Sequence, residues 1–537
     1  MEKFLPAGVQ VFEKMITGNF LYVDKTRYIY EMVRPPQAFF FLARPRRFGK
    51  SLLVSTLDSL FKGQKELFKD LWIEKSDWQW KKHPVIKIDF SRINYSTPEK
   101  LEQSLLSRIH QLAQKNGIEN TISSLPDCFA TFITQMADKY GENVAVLVDE
   151  YDKPIIEHLG KGGASLTVAK ENRDILKQLF GILKAGDVSA ILRLIFITGI
   201  SKFARVSIFS DLNNLDDISM QEEYDAILGY TDDELLSLFD THIYQLKNKL
   251  NLEREEIIKR IQDWYNGYRF TDSKTKVYNP FSVIKLFQKR KFENFWFETA
   301  TPSFLLNLIK EQEYPVPDIE NLLLSRENFT VYDIEDLQLE PLLFQTGYIS
   351  IQHFDDILYK MGYPNQEVKV SFLSYLYHHF VRIKNKKIHS AYKLLHIYLD
   401  EKKIEDFIET VKSILASIPY TQIASQGEDY YHTAFYLMLS ASGALVRTEV
   451  LTSQGRLDIA VEFDDKVYVI ELKCNQSSEK AVKQILDKRY YEKYMKTGRN
   501  IYLMGIGFDT EKRTIEDWQW GELEGYLDDC SDEVLVA

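Results

Sequence analysis

Four short, almost wholly apolar runs in the first 220 residues limit the fold more than any other feature: AFFFLA (38–43), VIKIDF (85–90), VAVLVD (144–149) and LRLIFITG (192–199). Runs of this length without polar alternation read as strands buried on both faces. The segments between them, at about 50–62, 98–116, 121–139 and 168–184, have helical periodicity. Strands that alternate with helices predict a parallel sheet covered on both sides, an α/β fold. No internal repeat or low-complexity tract is visible, which argues against a solenoid.

The first strand runs into Ala43-Arg44-Pro45-Arg46-Arg47-Phe48-Gly49-Lys50-Ser51 and then a helix. A strand, a turn ending Gly-Lys-Ser and a helix N-terminus form an anion cradle. The backbone N–H groups of Arg46, Arg47, Phe48 and Gly49 would face phosphates, with Lys50 reaching the β/γ-phosphates of ATP and Ser51 ligating Mg²⁺. Arg44 stands where the general GxxxxGK[ST] pattern has its first Gly. About 100 residues on, VAVLVDEYD ends a strand in Asp149-Glu150. Asp149 is expected to hold the Mg²⁺ water shell and Glu150 to polarise the attacking water.

After about 225 the chain turns helical, with Asn279-Pro280 a helix start. Residues 333–371 read as a helix followed by two strands, YISIQHF and EVKVSFL, around a polar tip MGYPNQ, the pattern of a winged-helix module. Helical character returns over 378–417, with the basic run Arg382–Lys387 as a candidate DNA patch. The last 120 residues read as a separate mixed α/β unit. A helix (about 427–441) precedes three meandering strands, LVRTEVLT, GRLDIAVEF and KVYVIELKC, then a helix (about 479–495) and the strand NIYLMGIGF.

That terminal unit carries the second constellation. Glu471 and Lys473 are two apart on a strand and so share a face, and Asp458 on the preceding strand can reach it. Two carboxylates and an ammonium suit a hard cation: Asp458 and Glu471 would hold Mg²⁺ while Lys473 assists the attacking water. Arg456 could line the same face and bind a phosphate. Tyr490, Tyr491 and Tyr494 beside Lys488, Arg489 and Lys493 suggest a strand-contacting helix face. His110, His158 and His432 have no metal-ligand spacing.

RPRRFGKSLL, VDKT (23–26), LVDEYDKPI and TGISKFARVSIFSDLNNL together resemble the bacterial AAA-ATPase-like family, over nearly the whole chain. The resemblance implies that Arg at the first-Gly position is usual, that Thr198–Ser201 is a sensor region, and that Lys202 or Arg205 faces the γ-phosphate. The Asp458…Glu471-x-Lys473 arrangement resembles the PD-(D/E)XK nuclease superfamily. That likeness implies a further metal contact from Glu428, and a site lined by Gln484 and Tyr491 in the manner of the superfamily's Q-x6-Y extension.

The chain has 67 Lys plus Arg against 78 Asp plus Glu, a net charge of -11, so contact with nucleic acid needs a local basic patch. Three separated cysteines, Cys128, Cys474 and Cys530, exclude a zinc ribbon and a disulfide framework. No apolar run approaches the roughly 18 residues of a membrane span and no secretory signal is present, so a cytoplasmic protein without membrane contact is expected. The domain reading is a P-loop AAA-ATPase-like domain (1–225), a helical lid (226–325), a winged-helix-like and helical linker (326–415) and a PD-(D/E)XK nuclease-like domain (416–537). The functional expectation is an ATP- and Mg²⁺-dependent ATPase whose fused nuclease cleaves nucleic acid, taken as DNA, under nucleotide control. Homo-oligomerisation is left open. One rival is a nucleotide-driven switch with an inactive nuclease fold, and another is a DNA-translocating motor that does not cut.

Overall fold

A computed structural model of the chain describes residues 3–202, 208–209, 212, 214–297, 303–312, 314, 316–329, 337–381, 391–416, 428–452 and 455–527. At 303, 310–311, 317–318, 321, 379–381, 428–430, 448–452 and 455–458 only the backbone is described. The chain divides into two compact units, Met1–Glu313 with Asn321–Val368, and Tyr314–Glu320 with Lys369–Ala537. Among the described residues no helix is long and apolar enough to cross a membrane.

The four apolar runs form β1 (Ala38–Ala43), β2 (Val85–Asp89), β3 (Val144–Asp149) and β4 (Leu192–Gly199). A two-residue strand, β5 (Asp216–Asp217), completes a five-stranded parallel sheet of order β2-β3-β4-β1-β5. Every residue of β3 and β4 is buried, which is why neither shows polar alternation. The covering helices are Lys50–Phe61, Pro98–Lys115, Leu125–Tyr140 and Gly163–Gly181. In this order β4 separates the loop-bearing strand β1 from β3, and the carboxyl ends of all three open on one edge. Ligands of open α/β sheets bind at that edge.

The region beyond 225 packs helices 232–238, 240–250, 254–265 and 280–289 around Leu235, Phe239, Ile243, Ile261, Leu286 and Phe287. Asn279 caps the last of them, its Oδ1 accepting from Phe281 N (3.0 Å) and Ser282 N (3.3 Å), as the Asn-Pro pair predicts. Further on, β6 (Leu323–Ser325), β7 (Ser350–Phe354) and β8 (Leu358–Gly362) form an antiparallel sheet of order β6-β8-β7 beside helix Leu339–Thr346.

Here one expectation is corrected. EVKVSFL is not a strand: Gln366–Val381 is a helix. The hairpin tip lies at 355–357, where Asp355 Oδ1 accepts from Ile357 N (3.1 Å) and Leu358 N (2.7 Å). Pro364-Asn365 is the cap of the following helix, Asn365 Oδ1 accepting from Val368 N at 3.1 Å. The pattern was misread because Asn after Pro serves both turns and caps. Arg382–Lys387 lies outside the described residues.

In the second unit, helix Glu428–Ala441 precedes β9 (Leu445–Thr452), β10 (Gly455–Glu462) and β11 (Lys466–Cys474), followed by helix Ser478–Asp487, β12 (Asn500–Asp509) and β13 (Thr514–Glu522). The mixed sheet runs β13-β12-β11-β10-β9, with β11 and β12 parallel and the other pairs antiparallel. The helix crossing between β11 and β12 sits so close that a Cβ on Gly505 would fall 2.3 Å from Ser478 O. It ends earlier than its periodicity suggests, because Arg489 takes a left-handed φ of 48°. β13 was not anticipated.

Candidate nucleotide and phosphodiester sites

The loop after β1 is bent by two left-handed residues, Arg47 (φ 68°) and Gly49 (φ 99°), immediately before the Lys50–Phe61 helix. Arg44 turns away from the cradle. Its guanidinium donates to Ala43 O (3.0 Å), Ser219 O (2.6 Å) and Tyr224 O (3.3 Å) and lies 4.3 Å over the Phe270 ring. The side chain is buried, and burial draws its pKa down to about 10. Arg in the first-Gly position therefore ties the loop to the segment following β5. Phe48 is also structural, its ring packed edge-on against Tyr268 (4.9 Å) and Phe270 (5.4 Å). Only the backbone of Phe48 is placed to serve a phosphate.

Lys50 is buried and folds back, its Nζ donating to Arg44 O (2.8 Å) and Pro45 O (2.9 Å). Burial brings the ammonium down to about 8, against the pull of Asp149, Asp152 and Glu150 and with a push from Arg46. Asp149 ends β3 opposite Asp89 on β2. Burial raises its carboxyl, Ser51 and Lys50 pull it back, and Glu150 and Asp89 raise it further. Its Oδ1 is buried and accepts no hydrogen bond among the described residues. A buried carboxylate oxygen without a donor, beside a serine hydroxyl, fits a divalent cation. No group of three or more His, Cys, Asp or Glu gathers as a metal cage among the described residues. A phosphate-bound Mg²⁺ does not need one, since it keeps waters and phosphate oxygens as ligands.

Glu150 adopts φ 55°, a conformation costly for a residue with a Cβ and common at functional sites. Its carboxylate pairs with Lys153 at 3.1 Å. Asp152 is buried and accepts from Ile200 N (2.9 Å), Ser201 N (2.7 Å) and Ser201 Oγ (2.9 Å), pinning the loop after β4. Thr198 donates to Leu42 O at 2.7 Å. Lys202, expected to face the γ-phosphate, is buried and paired with Asp217 at 3.0 Å. Arg205 lies outside the described residues. A cavity of about 470 Å³ opens over the loop, walled by the 46–51 turn, Glu150 and Lys153, the Pro6–Gln10 segment and Phe281. That volume is in the range of small-molecule and cofactor pockets.

In the second unit, Ile459 of β10 pairs with Ile470 of β11, a register that brings the backbone of Asp458 alongside Glu471. The side chains of Asp458, Arg456 and Glu428 lie outside the described residues. Glu471 is 1% exposed. Its Oε1 accepts from Lys473 Nζ at 3.0 Å and from Gln484 Nε2. Gln484 also reaches the Tyr490 hydroxyl at 3.4 Å. The expected tyrosine face is corrected: Tyr490, Tyr491 and Tyr494 are 2%, 7% and 2% exposed and pack with Val482, Ile485 and Leu503. The break at Arg489 turns these rings into the core, and helical periodicity alone could not show it.

Residues 6–209 match the AAA-ATPase_like family, described as a predicted AAA-ATPase, and residues 426–518 match the PDDEXK_9 family of the PD-(D/E)XK nuclease superfamily. A protein of Azotobacter chroococcum mcd 1, described as "Uncharacterized protein in vnfD 5'region", is 36% identical over 528 residues, covering 96% of this chain and 98% of its own. The chain belongs to the AAA-ATPase-like proteins with a C-terminal PD-(D/E)XK domain. No solved structure matches it.

The AAA-ATPase-like domain thus contains the Gly49-Lys50-Ser51 loop and Asp149-Glu150, and the PD-(D/E)XK domain contains Glu471, Lys473 and Gln484. The two families are of ATPase and nuclease type, which typically use nucleotide and divalent metal. Sequence reasoning missed Asp152, Lys153 and the Pro6–Gln10 wall. The VDKT motif was quoted without a role, and its role here is structural. Asp24 accepts from Thr26 N (2.8 Å) and Trp72 N (2.6 Å), while Lys25 pairs with Glu234 at 2.6 Å. Three polar residues in a row at a strand-free turn were the available signal.

Proposed function

We propose that the chain binds and hydrolyses ATP at the loop after β1, and that its terminal domain cleaves phosphodiester bonds in DNA under control of that nucleotide. The observation that carries the reading is the grouping of buried Lys50 and Asp149 with half-buried Ser51 at a nucleotide-sized cavity, with Glu150 at its wall. Arg46, Arg47 and Gly49 would cradle phosphates by their backbone N–H groups, and Arg205 belongs to the same assignment. Mg²⁺, held by Ser51 and Asp149, would neutralise charge on the β- and γ-phosphates. Lys50 would leave the loop carbonyls for phosphate oxygens, and Glu150 would hold the attacking water and take its proton.

In the terminal domain Asp458 and Glu471, with Glu428, would hold the metal, which lowers the pKa of bound water. Lys473 would support the attack and Gln484 would orient Glu471. The modules follow the sequence boundaries 1–225, 226–325, 326–415 and 416–537. DNA contact in the absence of a basic overall charge would depend on Arg456 and the Arg382–Lys387 run.

The test is incubation of supercoiled, linear and single-stranded DNA with Mg²⁺ or Mn²⁺, wild type beside Lys473→Ala. Metal-dependent cutting that disappears in the variant is the expected outcome; equal cutting by both proteins would remove the assignment. A second reading has one observation in its favour. Glu471 is almost fully buried and one of its oxygens already carries two N–H donors. A terminal domain closed in this way would bind nucleic acid without cutting it, as a nucleotide-driven switch, and would bind equally in EDTA.

A further inference from the structure

At the end of β4, Thr198 donates to Leu42 O, and Lys202 is paired with Asp217. The cations on the cavity wall differ in how firmly they are held. Lys25 is buried and bound by both oxygens of Glu234, at 2.6 and 2.7 Å. The Arg47 guanidinium lies 4.7 Å over the Phe281 ring. Lys153 is different. Its side chain and that of Glu150 are 31% and 38% exposed, they face the same cavity, and they are 3.1 Å apart.

Position adds to this. Lys50 is influenced by Asp149, Asp152 and Glu150, so the end of β3 faces the ammonium that would hold the β- and γ-phosphates. The third phosphate of a triphosphate would therefore arrive on the Glu150–Lys153 side of the cavity. A partly exposed Glu–Lys pair is weak, whereas a terminal phosphate offers an ammonium a higher charge and three acceptor oxygens.

We propose that Lys153 reads the γ-phosphate, leaving Glu150 when a triphosphate binds and returning to it when only a diphosphate remains. This rests on the ATP reading above and assigns its nucleotide discrimination to one side chain. The exchange couples two events: the cation that recognises the third phosphate is the one that covers Glu150 in its absence. Glu150 thus becomes available to a water only when there is a γ-phosphate to attack, and ADP leaves the pair closed. Lys153 acts here as a substrate-contacting and positioning residue, without a covalent step.

The test is calorimetric titration of the full chain, in Mg²⁺, with ADP and with a non-hydrolysable ATP analogue, for wild type, Lys153→Met and Lys153→Arg. In Lys153→Met the analogue should bind roughly tenfold or more weakly while ADP stays within about twofold of wild type, the loss expected for one charge-assisted contact. Retained ADP binding also shows that the variant is folded. Lys153→Arg should keep most of the preference for the analogue. The assignment is overturned if analogue and ADP weaken together, or if neither changes. A wild type that binds neither nucleotide overturns the ATP reading along with it.

Discussion

The two sites bury an acid in the same way and differ in the cations and amides set around it. At the nucleotide loop a buried acid and a buried ammonium are both held away from their preferred ionisation: burial raises Asp149, lowers Lys50 to about 8, and leaves Asp149 Oδ1 without a donor. In the terminal domain Glu471 Oε1 receives both Lys473 and Gln484, while its Oε2 is buried and accepts no hydrogen bond among the described residues. The first arrangement stores unmet electrostatic demand that a metal and phosphates can satisfy. The second meets part of that demand through Lys473 and Gln484 on one oxygen and leaves the other oxygen of Glu471 for a metal. Each domain therefore buries one carboxylate oxygen without a hydrogen-bond donor among the described residues, and in the PD-(D/E)XK domain the other oxygen of that carboxylate is held by a lysine and an amide.

The largest expected effect falls on that second site. Lys473→Ala should lower metal-dependent DNA cleavage by about 10³-fold, in the range seen when one charge-stabilising group is removed. ATP binding should not change. If instead Lys473→Ala cut as fast as wild type or faster, the catalytic role of Lys473 would fall. Next in size is Tyr491→Ala, which should destabilise the terminal domain by about 3 kcal/mol, since the ring is part of its core. Urea unfolding followed by circular dichroism measures it. An unchanged midpoint with weakened DNA binding would return Tyr491 to the role its sequence neighbours suggested.

Much of both folds was legible because each apolar run has one physical reading. β1, β3 and β4 match the apolar runs residue for residue, as buried parallel strands must. The Lys50, Asp149, Glu471 and Lys473 positions were legible for a related reason: their chemistry depends on a fixed offset from a strand end or along a strand. Side-chain direction was not. Nothing in the order Arg44…Lys50 tells that one cation leaves the cradle and the other folds onto it, because that depends on carbonyls of Ser219 and Tyr224 far along the chain. The Lys202 pairing was hidden for the same reason: its partner Asp217 belongs to β5, a strand too short to carry periodicity. Lys153 lies in LVDEYDKPI, but a lysine three residues past Glu150 acquires meaning only once both reach one cavity.

A smaller effect sharpens the nucleotide half of the comparison. Burial lowers the Lys50 ammonium to about 8, against the pull of Asp149, Asp152 and Glu150 and with a push from Arg46, whereas bound phosphates would hold its proton. Affinity for ATP should therefore be steady below about pH 7 and fall roughly tenfold between pH 7 and 9, with uptake of one proton on binding at the upper end. Calorimetry in buffers of different ionisation enthalpy measures both. A flat profile would mean that Lys50 keeps its charge in the empty loop. Smallest of all, Lys50→Arg should flatten that profile, because a guanidinium stays protonated across the range.

The central claim is that the first site governs the second, and the most direct measurement is the rate of DNA cleavage in Mg²⁺ with and without ATP, for wild type and Lys50→Ala. The account predicts that ATP changes the wild-type rate and leaves the Lys50→Ala rate where it was. The same ATP response in both proteins would contradict it.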